Sequence, residues 1–419
     1  MKLLIKNIKQ LVGTDDQSRL RISGKEMKEL GCINNAWLAI EDDLIVGYGK
    51  MDEWEGITDW TNLTILDASE KVVMPSWCDS HTHIVYAGSR ETEFVDRING
   101  MTYEQIFERG GGILNSAKKL ADSSEEELFQ SAWKRLQEIM WQGTGAVEIK
   151  SGYGLSLESE LKMLRVIKRL KENSPLAIKS TFLGAHAVPT EYQNDKRKYI
   201  DLLIGEMLPK IAEEKLADYC DVFCEKNYFS KEETIEILTA AKKFGMIPKV
   251  HAEQLSNTGG VLAGIEVGAI SVDHLEFVAE KEIMALKDSL TMPTILPGAA
   301  FFLGLPLPPA RIMIDAGLPI AVASDFNPGS SPSGNMNFMV SLCCIQYKLT
   351  PEEAINAATI NSAYAMGLSG THGSISIGKK ANVFITKEIP GYSFIPYSFG
   401  SNLVETVILN GKVIEKIDH

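Results

Sequence analysis

Apolar residues fall into two rhythms along the chain. Near the start they come in short runs separated by turns: KLLIKNI at residues 2–8, AWLAI at 36–40, LIVGYG at 44–49 and LTILDAS at 63–69, with an acidic turn at Glu41-Asp42-Asp43. Such runs read as short strands. The far end returns to the same style with ANVFIT at 381–386 and TVILNGKVIEKI at 406–417, where Asn410-Gly411 supplies the positive φ angles of a two-residue hairpin turn. Between them, nearly continuous apolar runs alternate with amphipathic stretches such as EEELFQSAWKRLQEIM, SELKMLRVIKRLKEN and KEETIEILTAAKKFG. The apolar runs number eight, VVMPSWCDSHTH, GAVEIKSGYG, AIKSTFLGAHAV, YCDVFCEK, MIPKVHAEQ, AISVDHLE, LTMPTILPGA and PIAVASDFNPG. Strands buried on both faces have this look. Eight strand-then-helix units predict an α/β fold, a (β/α)8 TIM barrel, over residues 73–366. Residues 1–72 and 367–419 are expected to join as a smaller β-sandwich domain made from both chain ends.

Composition narrows the partners. A 45% hydrophobic and 23% charged chain of 419 residues is an ordinary globular one. With 42 Lys+Arg against 55 Asp+Glu the net charge is −13, and no basic cluster offsets it, so neither nucleic acid nor an anionic membrane is the expected partner. A small molecule is. No signal-peptide core and no apolar run of membrane-spanning length occurs, so a cytoplasmic location is expected. The six cysteines include no CxxC pair, and buried free thiols are expected rather than disulfides.

The polar residues then fall in one place. Of seven histidines, His81, His83, His186, His251 and His274 stand at the carboxyl ends of proposed barrel strands, where a barrel gathers side chains from separate strands. His81 and His83 alternate by two and so face the same side, with Thr82 turned away. A single histidine is usually a hydrogen-bonded core or surface residue. Here the pair is joined by His251 on the fifth strand and Asp325 on the eighth, a set of metal-ligand types converging on one mouth.

Asp79-Ser80-His81-Thr82-His83, Lys249-Val250-His251-Ala252-Glu253, Val272-Asp273-His274 and Ala323-Ser324-Asp325 together resemble the metal signature of the amidohydrolase superfamily. The early strands and Gly378-Lys379-Lys380-Ala381-Asn382-Val383 are similar to the composite sandwich of its members, so the likeness spans nearly the whole chain. His83 to Arg90, Gly110-Gly111-Gly112-Ile113-Leu114, Glu148 to Gly154 and Phe182-Leu183-Gly184-Ala185-His186 narrow it further. They resemble the branch that hydrolyses 4-imidazolone-5-propanoate to N-formimidoyl-L-glutamate in histidine degradation.

That resemblance implies one divalent metal ion, zinc or iron, held by His81, His83, His251 and Asp325, and a homodimer. The reaction needs a Lewis acid, a proton shuttle and a clamp for the propionate. Asp325 is expected to touch the metal and also carry the proton to the departing ring nitrogen. His274 has three open roles: hydrogen-bonding the developing oxyanion, a further ligand, or a brace behind the ligands. Arg90, on the loop after the first strand, has the planar shape that takes a carboxylate through two parallel hydrogen bonds. The resemblance also places Tyr153, His186, Asn327, Gly329 and Ser330 against the substrate. Tyr103, just ahead of the three glycines, is expected to close over the site, and those glycines to form a lid rather than a phosphate cradle.

Two rivals define the test. A purine or pyrimidine deaminase resembles this metal set, but many carry a glutamic acid three residues after the fifth-strand histidine, and here Gln254 stands there. An amide donates a hydrogen bond without shuttling a proton, so Gln254 is assigned to the substrate, with Glu253 on the opposite face. The other rival is a barrel kept only as a scaffold, which would be expected to lose metal-ligand residues. A two-ion site would need a lysine on the fourth strand, where only Lys226 is available, so one ion is preferred.

Overall fold

The structure is a computed structural model that describes residues 2–56, 61–101, 105, 109 and 111–415. Strands β1 (Lys2–Thr14), β2 (Gly31–Glu41), β3 (Leu44–Lys50), β4 (Leu63–Asp67) and β5 (Lys71–Pro75) come from the start of the chain. The end contributes β14 (Val383–Glu388), β15 (Val404–Leu409) and β16 (Lys412–Val413). They form one mixed sheet in the order β16-β15-β14-β5-β1-β2-β3, with β4 parallel to β1 off that path. Its dry layer is almost wholly aliphatic, with Leu3, Ile5, Ile8, Leu11, Leu38, Val73, Ile385 and Ile408 in one cluster. The expected hairpin is present, with Asn410 and Gly411 at φ 50° and 73°.

Between these ends lie β6 (Trp77–Thr82), β7 (Thr144–Lys150), β8 (Ala177–Ala185), β9 (Tyr219–Cys224), β10 (Ile247–Ala252), β11 (Ser271–His274), β12 (Met292–Ile295) and β13 (Ala321–Val322). All pair in parallel, in chain order. A parallel bridge between Thr82 and Phe326, with Asp325 N–H donating to His81 O and His83 N–H to Phe326 O, joins the last strand's end to the first. The sheet is thus a barrel, and its helices follow each strand. The helices at Glu125–Trp141 and Lys231–Lys242 open on capping boxes, Ser124 with Glu127 and Ser230 with Glu233, satisfying the first free backbone donors.

One expected strand is two. The run at residues 72–83 splits at Ser76: Val73 and Met74 pair with β14 in the mixed sheet, whereas Trp77 onward pairs with β7. Ser76 N–H bonds Asn382 O and Trp77 N–H bonds Gly143 O, so consecutive residues belong to different sheets. All six cysteines are free, and Cys32 is exposed rather than buried. Among the described residues no helix is long and apolar enough to cross a membrane.

Candidate active site

The carboxyl ends of the strands surround a cavity of about 420 Å³. His81 ends on β6 and His83 follows it, and their Nε2 atoms lie 3.2 Å apart. Asp325 Oδ1 stands 3.5 Å from each of them. Asp325 reaches this point because its backbone turns into the left-handed region, φ 55°, while its N–H stays bonded to His81 O. His81, His83 and Asp325 form one group whose donor atoms all lie within 4.8 Å of one another, and His81, His251 and His274 form another.

The orientation of two of these rings is fixed from behind. His81 Nδ1–H donates to Asp273 Oδ2 at 2.7 Å, and His251 Nδ1 lies 3.0 Å from Asp221 Oδ2. With Asp273 accepting, the His81 proton sits on Nδ1 and its Nε2 lone pair is left for the cavity, while Asp221 holds the His251 backbone, accepting its N–H at 3.1 Å. Burial, reinforced by Lys150 and the other imidazoles, holds His81 well below the usual histidine pKa. Burial and then His186 and His251 do the same to His83. Neutral imidazoles and a carboxylate within reach of one another are the donor set of a zinc- or iron-type site.

Beneath the imidazoles lies a layer of charge in which every side chain is fully buried. Lys150 Nζ donates to Glu148 at 2.6 Å and to Asp221 at 2.7 Å. Lys249 Nζ donates to Glu148 and, at 2.9 Å, to Ser80 O. Asp273 lies 3.8 Å from Lys150 and 3.7 Å from Lys249. Burial works against a charged Lys150, but Asp221, Glu148 and Asp273 outweigh it and raise its pKa. Burial likewise raises Asp221, and His251 and Lys150 overcome it to hold the acid well below the carboxylate range.

His274 ends β11 with φ 92°, and Leu275 after it has φ 74°, so the chain leaves the strand sharply. Its Nδ1 is 3.7 Å from Glu276 Oε1. Burial opposes the charged ring, but Glu276, Asp325 and Asp273 outweigh it and raise the His274 pKa. Glu253 turns away from the cavity and accepts backbone N–H groups of Gly259 and Val261 at 2.9 and 3.0 Å. Gln254 lines the cavity.

At the rim, Arg90 is ion-paired with Glu93, its Nε donating at 2.8 Å. The expected carboxylate clamp therefore already has an acid against it, and the same acid accepts Gly112 N–H at 3.1 Å. A side chain at Gly329 would place its Cβ 2.3 Å from an Arg90 guanidinium nitrogen, so Arg90 would have to shift to admit one. Tyr153 and His186 also line the cavity, with their rings 5.5 Å apart. His186 Nδ1–H donates to Gly152 O at 3.0 Å, and burial lowers its pKa to about 3. Asn327 ties the eighth loop together: Oδ1 accepts the N–H groups of Gly329 and Ser330 at 2.8 Å, and Nδ2 donates to Asp325 O at 2.6 Å. Ser330 Oγ donates to Asp325 Oδ2 at 3.0 Å. Tyr103 and Gly110 lie outside the described residues.

Sequence reasoning gave no role to the buried layer of Glu148, Lys150, Asp221, Lys249 and Asp273, nor to Glu93 and Arg97, two helix residues that also line the cavity. A signal for the layer existed, since charges inside otherwise apolar double-buried strands demand partners. None existed for Glu93 and Arg97, which lie on the helix Glu91–Ile98 among other charged residues.

Comparison with known proteins follows the same line. The model of the amidohydrolase family matches residues 72–414. The chain is 59% identical over 414 residues to an imidazolonepropionase of Christiangramia forsetii, covering 99% of this chain and 100% of that one. It is 60% identical to an imidazolonepropionase of Flavobacterium johnsoniae, with the same coverage. Among solved structures, an adenosine deaminase from Xanthomonas campestris with bound zinc shares the fold at TM-score 0.69 and 15% identity, over 98% of this chain and 92% of that one.

Proposed function

Because the chain belongs to the amidohydrolase family and, within it, to the imidazolonepropionases, we propose that it hydrolyses the ring amide C–N bond of 4-imidazolone-5-propanoate to give N-formimidoyl-L-glutamate in histidine degradation. The observation that carries this reading is the near-complete overlap, at 59–60% identity, with relatives of that name. We assign one divalent cation, zinc or iron, to His81, His83, His251 and Asp325. When bound, such an ion supplies a Lewis acid that polarises a carbonyl and acidifies water.

The protein's own groups do the rest. Asp325 Oδ2, steadied by Ser330 Oγ, takes the proton of the attacking water as the new C–O bond forms at the ring carbonyl carbon. The same oxygen returns it to the ring nitrogen as the C–N bond breaks. His274, with Glu276 Oε1 3.7 Å from its Nδ1, donates to the oxygen on which charge develops. Arg90 takes the propionate, with Glu93 holding its guanidinium in place until the substrate arrives. Tyr153, His186 and the loop of Asn327, Gly329 and Ser330 bound the ring, and Gln254 donates a hydrogen bond to it. Tyr103 is assigned to closure over the bound substrate. Gln254 at the cavity wall also weighs against a deaminase, since an amide can hydrogen-bond a ring nitrogen but cannot transfer a proton to it.

The test is to purify the protein, measure its metal content and follow loss of imidazolone absorbance beside guanine and cytosine. Loss with imidazolone propionate alone is expected; turnover of guanine or cytosine instead would overturn the assignment.

A further inference from the structure

The charged layer under the imidazoles has no part in the chemistry described so far, yet it is the most heavily charged fully buried cluster among the described residues. It gathers Glu148 and Lys150 from β7, Asp221 from β9, Lys249 from β10 and Asp273 from β11. Burying five charges is costly, and packed aliphatic residues of similar volume would usually be as stable or more so. The contacts are ordered. Asp221 and Asp273 each touch one imidazole, His251 and His81, while Glu148 touches neither and instead binds both lysines and Thr181 Oγ1 at 2.5 Å. Glu148 thus fixes the lysines, the lysines fix two aspartates, and the aspartates fix two rings.

We infer that Lys150 and Lys249 are positioning residues that act through Asp221 and Asp273 to set the orientation of His251 and His81, and thereby how tightly the site holds a divalent cation. The inference rests on the metal-site reading above. Asp221 depends most on Lys150, its nearest lysine partner at 2.7 Å. Asp273 sits between the two lysines at nearly equal distances, so Lys150 serves both arms and Lys249 one. A carboxylate stripped of its cation in a dry interior must find another arrangement, and the ring in contact with it moves with it.

The experiment uses the full chain loaded with cobalt(II), whose visible absorption reports donor geometry, and times release of cobalt to a chromophoric chelator. Lys150→Met should release cobalt about 10–100-fold faster, the usual scale for losing support behind a ligand, with an altered visible spectrum and unchanged far-ultraviolet circular dichroism. Lys249→Met should show a smaller change of the same kind. The double variant Glu148→Gln/Lys150→Met, which removes one charge of each sign, keeps the test sharp if the single variant folds poorly, and it should behave like Lys150→Met. Leu38→Ala, destabilising the distant mixed sheet, should leave spectrum and release rate unmoved. Wild-type spectra and release rates in folded Lys150 variants would overturn the inference alone. Wild-type protein that takes up no cobalt would overturn the metal-site reading and, with it, the inference.

Discussion

Two dry interiors of this molecule are built on opposite terms. The mixed sheet from the chain ends buries Leu3, Ile5, Leu38, Val73, Ile385 and Ile408 against one another. The barrel, toward the carboxyl ends of its strands, buries Glu148, Lys150, Asp221, Lys249 and Asp273, every side chain fully enclosed. The sheet needs only volume and pattern, and any aliphatic residue of similar size would serve. The barrel interior needs particular charges at particular atoms, because each aspartate ends on a ring nitrogen. The lesson is that stability and chemistry are separable in this fold: they draw on different interiors and should fail separately.

Substitutions sharpen that contrast. The largest effect is expected at Asp325, where Ala should lower kcat by about 10³-fold or more through loss of the proton carrier, while the melting temperature of the metal-free protein stays near wild type. A near-normal rate would remove Asp325 from the mechanism. His274→Ala should lower kcat by about 10²–10³-fold with stoichiometric metal retained if it donates to the oxyanion, whereas loss of metal would make it a ligand. Arg90→Met should raise KM for the propionate substrate by roughly 10–100-fold, the scale of a lost charged hydrogen-bond pair, and leave metal content alone. Unchanged affinity would refute the clamp. Leu38→Ala is the converse: about 2–5 kcal/mol of stability should be lost in denaturant unfolding, with kcat and metal content unchanged in the folded protein. If Leu38→Ala altered metal content, the two interiors would not be separable.

Much of this was readable from the chain. Period-two alternation at His81 and His83, and the endings of eight apolar runs, bring the histidines and Asp325 together: His83, His186, His251, His274 and Asp325 line the cavity, and His81 lies against His83. The composite nature of the β-rich ends was readable too, because the two ends share one pattern. What escaped had physical causes. The run at 72–83 is apolar throughout, and nothing local marks Ser76 as the point where pairing passes from one sheet to the other. Lys150, Asp221, Lys249 and Asp273 sit inside strands, where a one-dimensional reading sees a polar interruption but not which partner answers it across the barrel. Glu93 meets Arg90 through a helical turn, a three-residue spacing common to many surface pairs.

The central claim is that one cation, held among the ends of β6, β10 and β13, is required for opening the imidazolone ring. Its most direct test is to strip the protein with a chelator and titrate zinc or iron(II) back while recording imidazolone hydrolysis. Activity that vanishes on stripping and returns in full at one equivalent of metal per chain is the expected result; undiminished hydrolysis by protein shown to be metal-free would contradict it.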